Sequence, residues 1–277
     1  MVTLTRRGFL ASSTAGALVL ACGTGHAARA FRLGAQSYSF REFSTEDAIK
    51  NLRELGLTEM EFCFAHFPPD VNDPKYLAAK AAIDAAKISV PAYGVEEFTA
   101  DEAVNRKKFE FAKALGVEVL TANPDQESFA SLDKLVEEFQ IRIAIHNHGP
   151  KARYDKVADT LKAVEGHSPL IGACVDTGHV IRSGEKPHEV VQQLGNRVIS
   201  LHLKDWVHEG KEQIIGKGDL DVIKLAEALG ALNFQGPIML EYEESPKNPV
   251  PDMKQGIENW NKAVSAAKLP ARRKRDE

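Results

Sequence analysis

Short apolar runs recur along the chain from residue 31 onward, each followed by a polar turn and then by apolar positions at helical spacing. The runs at 31–39, 58–64, 88–95, 117–122, 141–146, 171–177, 198–203 and 237–242 read as strands. Between them lie helix signals. Ser44 with Asp47 three residues on resembles a capping box, and Gly56 stops that helix. A loop at 65–72 with Pro68 and Pro69 leads into an Ala-rich helix. Thr99 with Glu102 opens the next, which carries Phe109, Ala112 and Leu115 on one face and ends at Gly116. Further helices are predicted over about 131–139, 154–164 and 187–194, up to Leu229, and over 256–267. Alternation of this kind predicts a single-domain (β/α)8 TIM barrel rather than an open doubly wound sheet. No Gly-rich phosphate fingerprint follows the first strand, which argues against a dinucleotide fold.

The polar residues that close the last four strands change the picture from fold to chemistry. Ile145-His146-Asn147-His148, Val175-Asp176-Thr177-Gly178-His179, Leu201-His202-Leu203-Lys204-Asp205 and Leu240-Glu241-Tyr242-Glu243 each put ligating side chains at a strand's C-terminal end. Side chains alternate along a strand, so His146/His148, His202/Lys204 and Glu241/Glu243 are same-face pairs. In such barrels the C-terminal rim carries the active site. His146, Asp176, His202 and Glu241, from four neighbouring strands, form the expected ligand set of one divalent ion. Mixed imidazole and carboxylate donors favour Zn, Mn, Fe or Co over an all-oxygen Mg or Ca cage. Two imidazoles and two carboxylates gathered together call for a cation to offset them.

The chain of 277 residues has a formal net charge of −4 with both signs interspersed, so no nucleic-acid face is expected. Its one basic run, 272–275, falls in a tail at 269–277 expected to be flexible. Residues 1–30 read as an export signal, with Arg6-Arg7 as the twin arginine, an apolar run at 11–21 too short to span a bilayer, and Ala28-Arg29-Ala30 before the cleavage point. A mature domain at 31–268 and a periplasmic location follow as expectations. Val19-Leu20-Ala21-Cys22 loosely resembles a lipoprotein box, the minority alternative being a lipid anchor at Cys22. Cys63 and Cys174 fall on strands two and six, on opposite walls beyond disulfide reach, and are expected to pack in the core.

At these motifs the chain resembles the xylose isomerase-like TIM barrels, the sugar phosphate isomerase/epimerase group. The segments carrying the resemblance are Asp176-Thr177-Gly178-His179, His202-Leu203-Lys204-Asp205, Gly216-x-Gly218 followed by Asp221, and Glu241-Tyr242-Glu243. In that family one metal is held by a Glu, an Asp, a His and a Glu from strands five to eight. Asp176, His202 and Glu241 match three of these positions, and His146 departs from the fourth. Ketose epimerases of the family use their two metal-bound glutamates as opposed bases, a scheme that His146 interrupts. The His-x-His form is more similar to inosose dehydratases and related keto-sugar lyases.

The resemblance implies a metal-dependent sugar isomerase or epimerase working through an enediolate on a small-molecule sugar. The alternatives are a dehydratase or lyase acting on a keto-sugar, 3-keto-glycoside or inosose, and a non-catalytic sugar-binding barrel. Repair nucleases share the barrel, but they need a larger metal cluster and a basic groove that this chain does not show. Glu241 or Glu243 is the expected base, His179 a proton donor or acceptor for a substrate hydroxyl, and Lys204 a partner for the developing oxyanion. His148, Glu61, His66, Tyr38 and Trp206 are expected round the sugar. A salt bridge between Lys204 and Asp205 is the competing account of that pair. Oligomeric state is not legible.

Overall fold

The computed structural model of the protein describes residues 31–270. The expected signal at 1–30, with Cys22, and the basic run at 272–275 lie outside the described residues. Eight parallel strands form the barrel: β1 (Arg32–Gln36), β2 (Met60–Glu61), β3 (Ala92–Phe98), β4 (Val119–Pro124), β5 (Arg142–His146), β6 (Ile171–Asp176), β7 (Val198–Leu203) and, after a small hairpin, β10 (Pro237–Leu240). Their lateral order is β2-β1-β10-β7-β6-β5-β4-β3. Bridges Glu59–Ser89 and Phe62–Tyr93 join the two ends of that order, so the sheet curls into a cylinder. At this seam Met60 N–H donates to Ser89 C=O and Gly94 N–H to Phe62 C=O, each at 3.0 Å. The predicted second strand is thus shorter than its apolar run. The hairpin pairs β8 (Asp205–Trp206) with β9 (Glu212–Gln213) over the rim.

Helices α1 (Thr45–Glu54), α2 (Pro74–Ala86), α3 (Glu102–Leu115), α4 (Phe129–Phe139), α5 (Val157–Val164), α7 (Pro187–Leu194), α8 (Val222–Ala231) and α9 (Val250–Ala266) wrap the cylinder, and α6 (Thr177–Arg182) follows β6 directly. Ser44 caps α1 by accepting from Asp47 N–H at 3.1 Å, as its spacing predicts. At α3 the cap is Asp101 rather than Thr99: its carboxylate accepts from both Ala103 and Val104 N–H, which a hydroxyl two residues earlier does not reach. Tyr154 stays outside α5 because its hydroxyl reaches across to the Pro124 carbonyl at 2.7 Å. α9 begins before Gly256: Pro251 suits its first turn, and the bare Cα of Gly256 lies against Ile215. No helix among the described residues is long and apolar enough to cross a membrane.

Apolar side chains fill the space between cylinder and helices, with Leu52, Phe109, Leu135, Val191 and Leu225 fully buried. Each such side chain contributes about 1.5–3 kcal/mol. Inside the barrel, Ala92, Val119, Ala144, Cys174 and Ile199 form a separate apolar layer. Cys174 is therefore core, as expected, and both described cysteines are free thiols. This layer is the floor on which the polar site rests.

Candidate metal centre and cavity

Above the apolar layer the strand ends converge. One ligand atom each from His146, Asp176, His202 and Glu241 lies within 4.8 Å of all the others, and all four residues are buried. His146 Nε2 stands 3.4 Å from Asp176 Oδ2, and His202 Nδ1 stands 3.2 Å from Glu241 Oε2. Both ring nitrogens of His146, Oδ2 of Asp176 and Nδ1 of His202 are buried without a hydrogen-bond partner. Unpaired buried polar atoms are costly, so their convergence fits a cation among them. The donor set of two imidazoles and two carboxylates suits a divalent transition metal.

The remaining polar atoms of these residues are occupied in ways that aim the free ones. Asp176 is both a candidate ligand and the N-cap of α6: Oδ1 accepts from His179 N–H at 2.8 Å, which leaves Oδ2 turned to the cluster. Asn147, on the opposite face from His146 and His148, locks Asp176 from outside. Its Oδ1 accepts from Asp176 N–H at 2.8 Å and its Nδ2 donates to Asp176 C=O at 3.1 Å. Nε2 of His202 faces Glu61 Oε2 at 3.0 Å, the kind of carboxylate–imidazole pairing that orients a histidine towards a metal.

Glu61 is fully buried and is not on the cavity wall, which corrects its expected contact with sugar. Its strand turns it under the rim, where His202 takes it. Lys204 is also corrected. Although on the same face as His202, it is 1% exposed, and three carboxylates claim its ammonium. Glu243 Oε1 lies at 2.5 Å, Glu241 Oε2 at 3.4 Å and Asp176 Oδ2 at 3.9 Å. Gly178 makes room for it: a Cβ there would meet Lys204 Cγ at 2.6 Å. Asp205, rather than pairing with Lys204, accepts backbone N–H groups from Trp206, Gly216, Gly218 and Leu220 at 2.8–3.0 Å, tying the glycine turn to the hairpin.

Charges follow from this packing. Burial alone would raise the Glu241 carboxyl, but Lys204 and His202 hold it well below the usual carboxylate range. Burial opposes ionisation of Asp176 as well, and His179, Lys204 and His146 overcome it. Burial likewise opposes the Lys204 ammonium, and Glu241 and Asp176 raise its pKa instead. Desolvation, with the His146 ring beside it, lowers His148 to about 4. Burial lowers His179 to about 3. Both rings are neutral at pH 7.

A cavity of about 360 Å³ opens over the cluster. Its lining includes Gln36, Tyr38, Cys63 and Phe64 together with His148, His179, Arg182 and Glu243. Tyr38, His148, His179 and Glu243 thus all reach this one cavity. His66 and Trp206 do not: His66 Nε2 pairs with the Ser37 carbonyl at 3.0 Å, and Trp206 lies behind Arg182. Cys63 is buried, as expected, and also borders this cavity; its Sγ accepts a 3.4 Å contact from Ser37 Oγ. Burial pushes its thiol up to about 11, so it is no thiolate at neutral pH. Arg182 and Asn147 were not legible in the sequence. Arg182 needed the short helix α6, which its Thr-Gly-His-Val opening hides; the available signal was Asp176 read as an N-cap.

The barrel has counterparts among known proteins. The family model described as xylose isomerase-like TIM barrel matches residues 49–263. An inosose dehydratase of Clostridium beijerinckii is 28% identical over 134 residues, which are 42% of this chain and 45% of that protein. A 3-oxo-isoapionate decarboxylase of Pectobacterium atrosepticum is 30% identical over 101 residues, 35% of each chain. The matched segment thus spans under half the length of these curated relatives. Among solved structures, an uncharacterised protein of Parabacteroides distasonis superposes with a TM-score of 0.66 at 27% identity, covering 84% of this chain and 98% of that one. An L-ribulose 3-epimerase superposes at 0.69 with 15% identity, over 86% and 96%, a likeness of fold alone. With most of its barrel matched by the family model, the chain belongs to the xylose isomerase-like TIM barrel family.

Proposed function

We propose that the protein is a divalent-metal-dependent lyase acting on a keto-sugar, a 3-keto-glycoside or an inosose. It removes the proton beside a carbonyl and expels the β-substituent as water or an aglycone. The distribution of acids round the cavity carries this reading. Both carboxylates on its wall, Glu241 and Glu243, come from the segment after β10, while the segments after β5 and β6 supply imidazoles. Inversion by two opposed bases needs a base on each face of the substrate. Elimination needs only one, and a single carboxyl that takes the α-proton can return it to the departing oxygen.

Glu243 is that group. It lines the cavity and is steadied by Lys204 Nζ and by its own backbone, whose carbonyl accepts from Arg41 at 2.8 Å. Glu241 is turned into the cluster, with Oε2 3.2 Å from His202 Nδ1, which suits a ligand. The neutral rings of His148 and His179 hold substrate hydroxyls, and Tyr38 offers an apolar face to the sugar. A divalent ion held by His146, Asp176, His202 and Glu241 supplies, when bound, Lewis-acid stabilisation of the negative charge developing on the carbonyl oxygen.

An isomerase or epimerase is the second reading, favoured by the family to which the chain belongs. It shares the first proton transfer and differs only in where the proton returns. Incubating the metal-loaded protein in deuterium oxide with ketoses and 3-keto-glycosides separates the two by NMR. The lyase reading expects loss of water or aglycone; deuterium in an otherwise intact sugar backbone supports the isomerase, and inertness a binding barrel. The proposal includes export, from Arg6-Arg7: replacing both with Lys is expected to keep the protein in the cytoplasmic fraction.

A further inference from the structure

Among the described residues one guanidinium reaches the cavity wall, and three contacts fix it there. Arg182 ends α6 and lines the cavity beside His179, one turn earlier on the same helix. Its Nη1 lies 2.8 Å from Nδ1 of His179. Its guanidinium carbon stands 4.9 Å from the centroid of the Trp206 ring, a cation–π arrangement that holds the plane of the fork. On a third side it approaches Gly149 so closely that a Cβ there would come within 2.8 Å of that carbon. Only glycine at 149 leaves the guanidinium this position.

The contact with His179 has one chemical reading. Guanidinium nitrogens carry N–H donors and no acceptor, and the group stays charged. Nδ1 of His179 therefore accepts, and the proton of the neutral ring resides on Nε2. We propose that Arg182 is a positioning residue that fixes His179 in the Nε2–H tautomer, so that His179 offers substrate a hydrogen-bond donor and never a basic nitrogen. The ring is also anchored at its root, because the His179 backbone N–H is held by Asp176 Oδ1 at 2.8 Å. Orientation and tautomer are thus set by two separate groups, one at each end of the residue. On the lyase reading above, on which the donor role rests, His179 grips a substrate oxygen while proton abstraction falls to Glu243. The tautomer itself is independent of that reading.

The tautomer is measured without substrate, so failure of the lyase reading and failure of this one are told apart. In zinc-loaded protein labelled with 15N-histidine, a two-bond 1H–15N correlation spectrum reports which ring nitrogen carries the proton, and His179→Gln identifies the signals by their loss. Wild type is expected to show unprotonated Nδ1 and protonated Nε2 at His179. Arg182→Met, which keeps an apolar stem over Trp206 and removes the donors, is expected to give a tautomer mixture. Gly149→Ala, which retains Arg182 but displaces it, is expected to do the same. Arg182→Lys, still a donor without an acceptor, is expected to restore the wild-type pattern. Exchange of the substrate α-proton should fall by roughly tenfold or more in Arg182→Met and recover in part in Arg182→Lys. A proton on Nδ1 in wild type, or an unchanged tautomer in both Arg182→Met and Gly149→Ala, would overturn the proposal.

Discussion

Glu61 and His202, 141 positions apart in the chain, meet inside the barrel with Oε2 and Nε2 3.0 Å apart, both side chains buried. The contact decides which nitrogen of His202 is left for a cation, since Nε2–H is taken and only Nδ1 faces the cluster. Glu61→Gln preserves size and an accepting oxygen while removing the charge that raises the basicity of the ring. Metal affinity is expected to fall by about tenfold or more, with the fold unchanged by circular dichroism. Competition against a fluorescent chelator measures it. Wild-type affinity in Glu61→Gln would show that the carboxylate does not tune His202.

Lys204 gives a second prediction, about charge balance. Its ammonium is the counter-ion to Asp176, Glu241 and Glu243. Lys204→Met leaves these buried acids facing one another. The metal-free protein is expected to lose about 3–5 kcal/mol, the usual cost of removing one partner of a buried ion pair. Bound metal supplies replacement charge, so the loss should shrink when the ion is present. Denaturant unfolding with and without metal checks both halves. Equal losses in the two states would mean that Lys204 stabilises by packing rather than by charge.

Much of this site was legible before the fold was known, and the division is physical. The strand-end positions of His146, Asp176, His202 and Glu241 follow from apolar runs that stop at polar residues, and barrel topology then brings those ends together. Same-face pairing was legible for the same reason, but destination was not. Lys204 does share a face with His202, yet three acids hold it below the cavity. Glu61 stands at the expected end of its strand, but its partner is His202 on β7, which strand alternation does not reveal. Asn147 reads in the sequence as the mere spacer of His-x-His, whereas in the fold it grips the backbone of Asp176. Partners distant in sequence leave no periodic trace, whereas strand alternation does.

Glu212 gives a prediction with a definite sign. It lies in β9, 4% exposed, and its Oε2 accepts from Glu243 N–H at 3.0 Å. Burial pushes its carboxyl up from 4.5 to about 8, against the opposing pull of Lys204. Between those values the folded protein keeps a proton that the unfolded chain has released, so this residue lowers stability as pH rises through the interval. Glu212→Gln keeps an acceptor for the Glu243 amide and cannot ionise. Its melting temperature should fall less than that of wild type over the interval and exceed it above pH 8, with the two pH profiles running parallel at lower pH. Parallel profiles across the whole interval would show that Glu212 is ionised in the folded protein.

Calorimetric titration of chelator-treated protein with Mn²⁺, Zn²⁺ or Co²⁺ tests the central claim most directly. One ion per chain is expected, with binding reduced by orders of magnitude in Asp176→Asn and in His202→Gln while both variants stay folded. Absence of binding in wild type, or full binding in both variants, would contradict a cation held by His146, Asp176, His202 and Glu241.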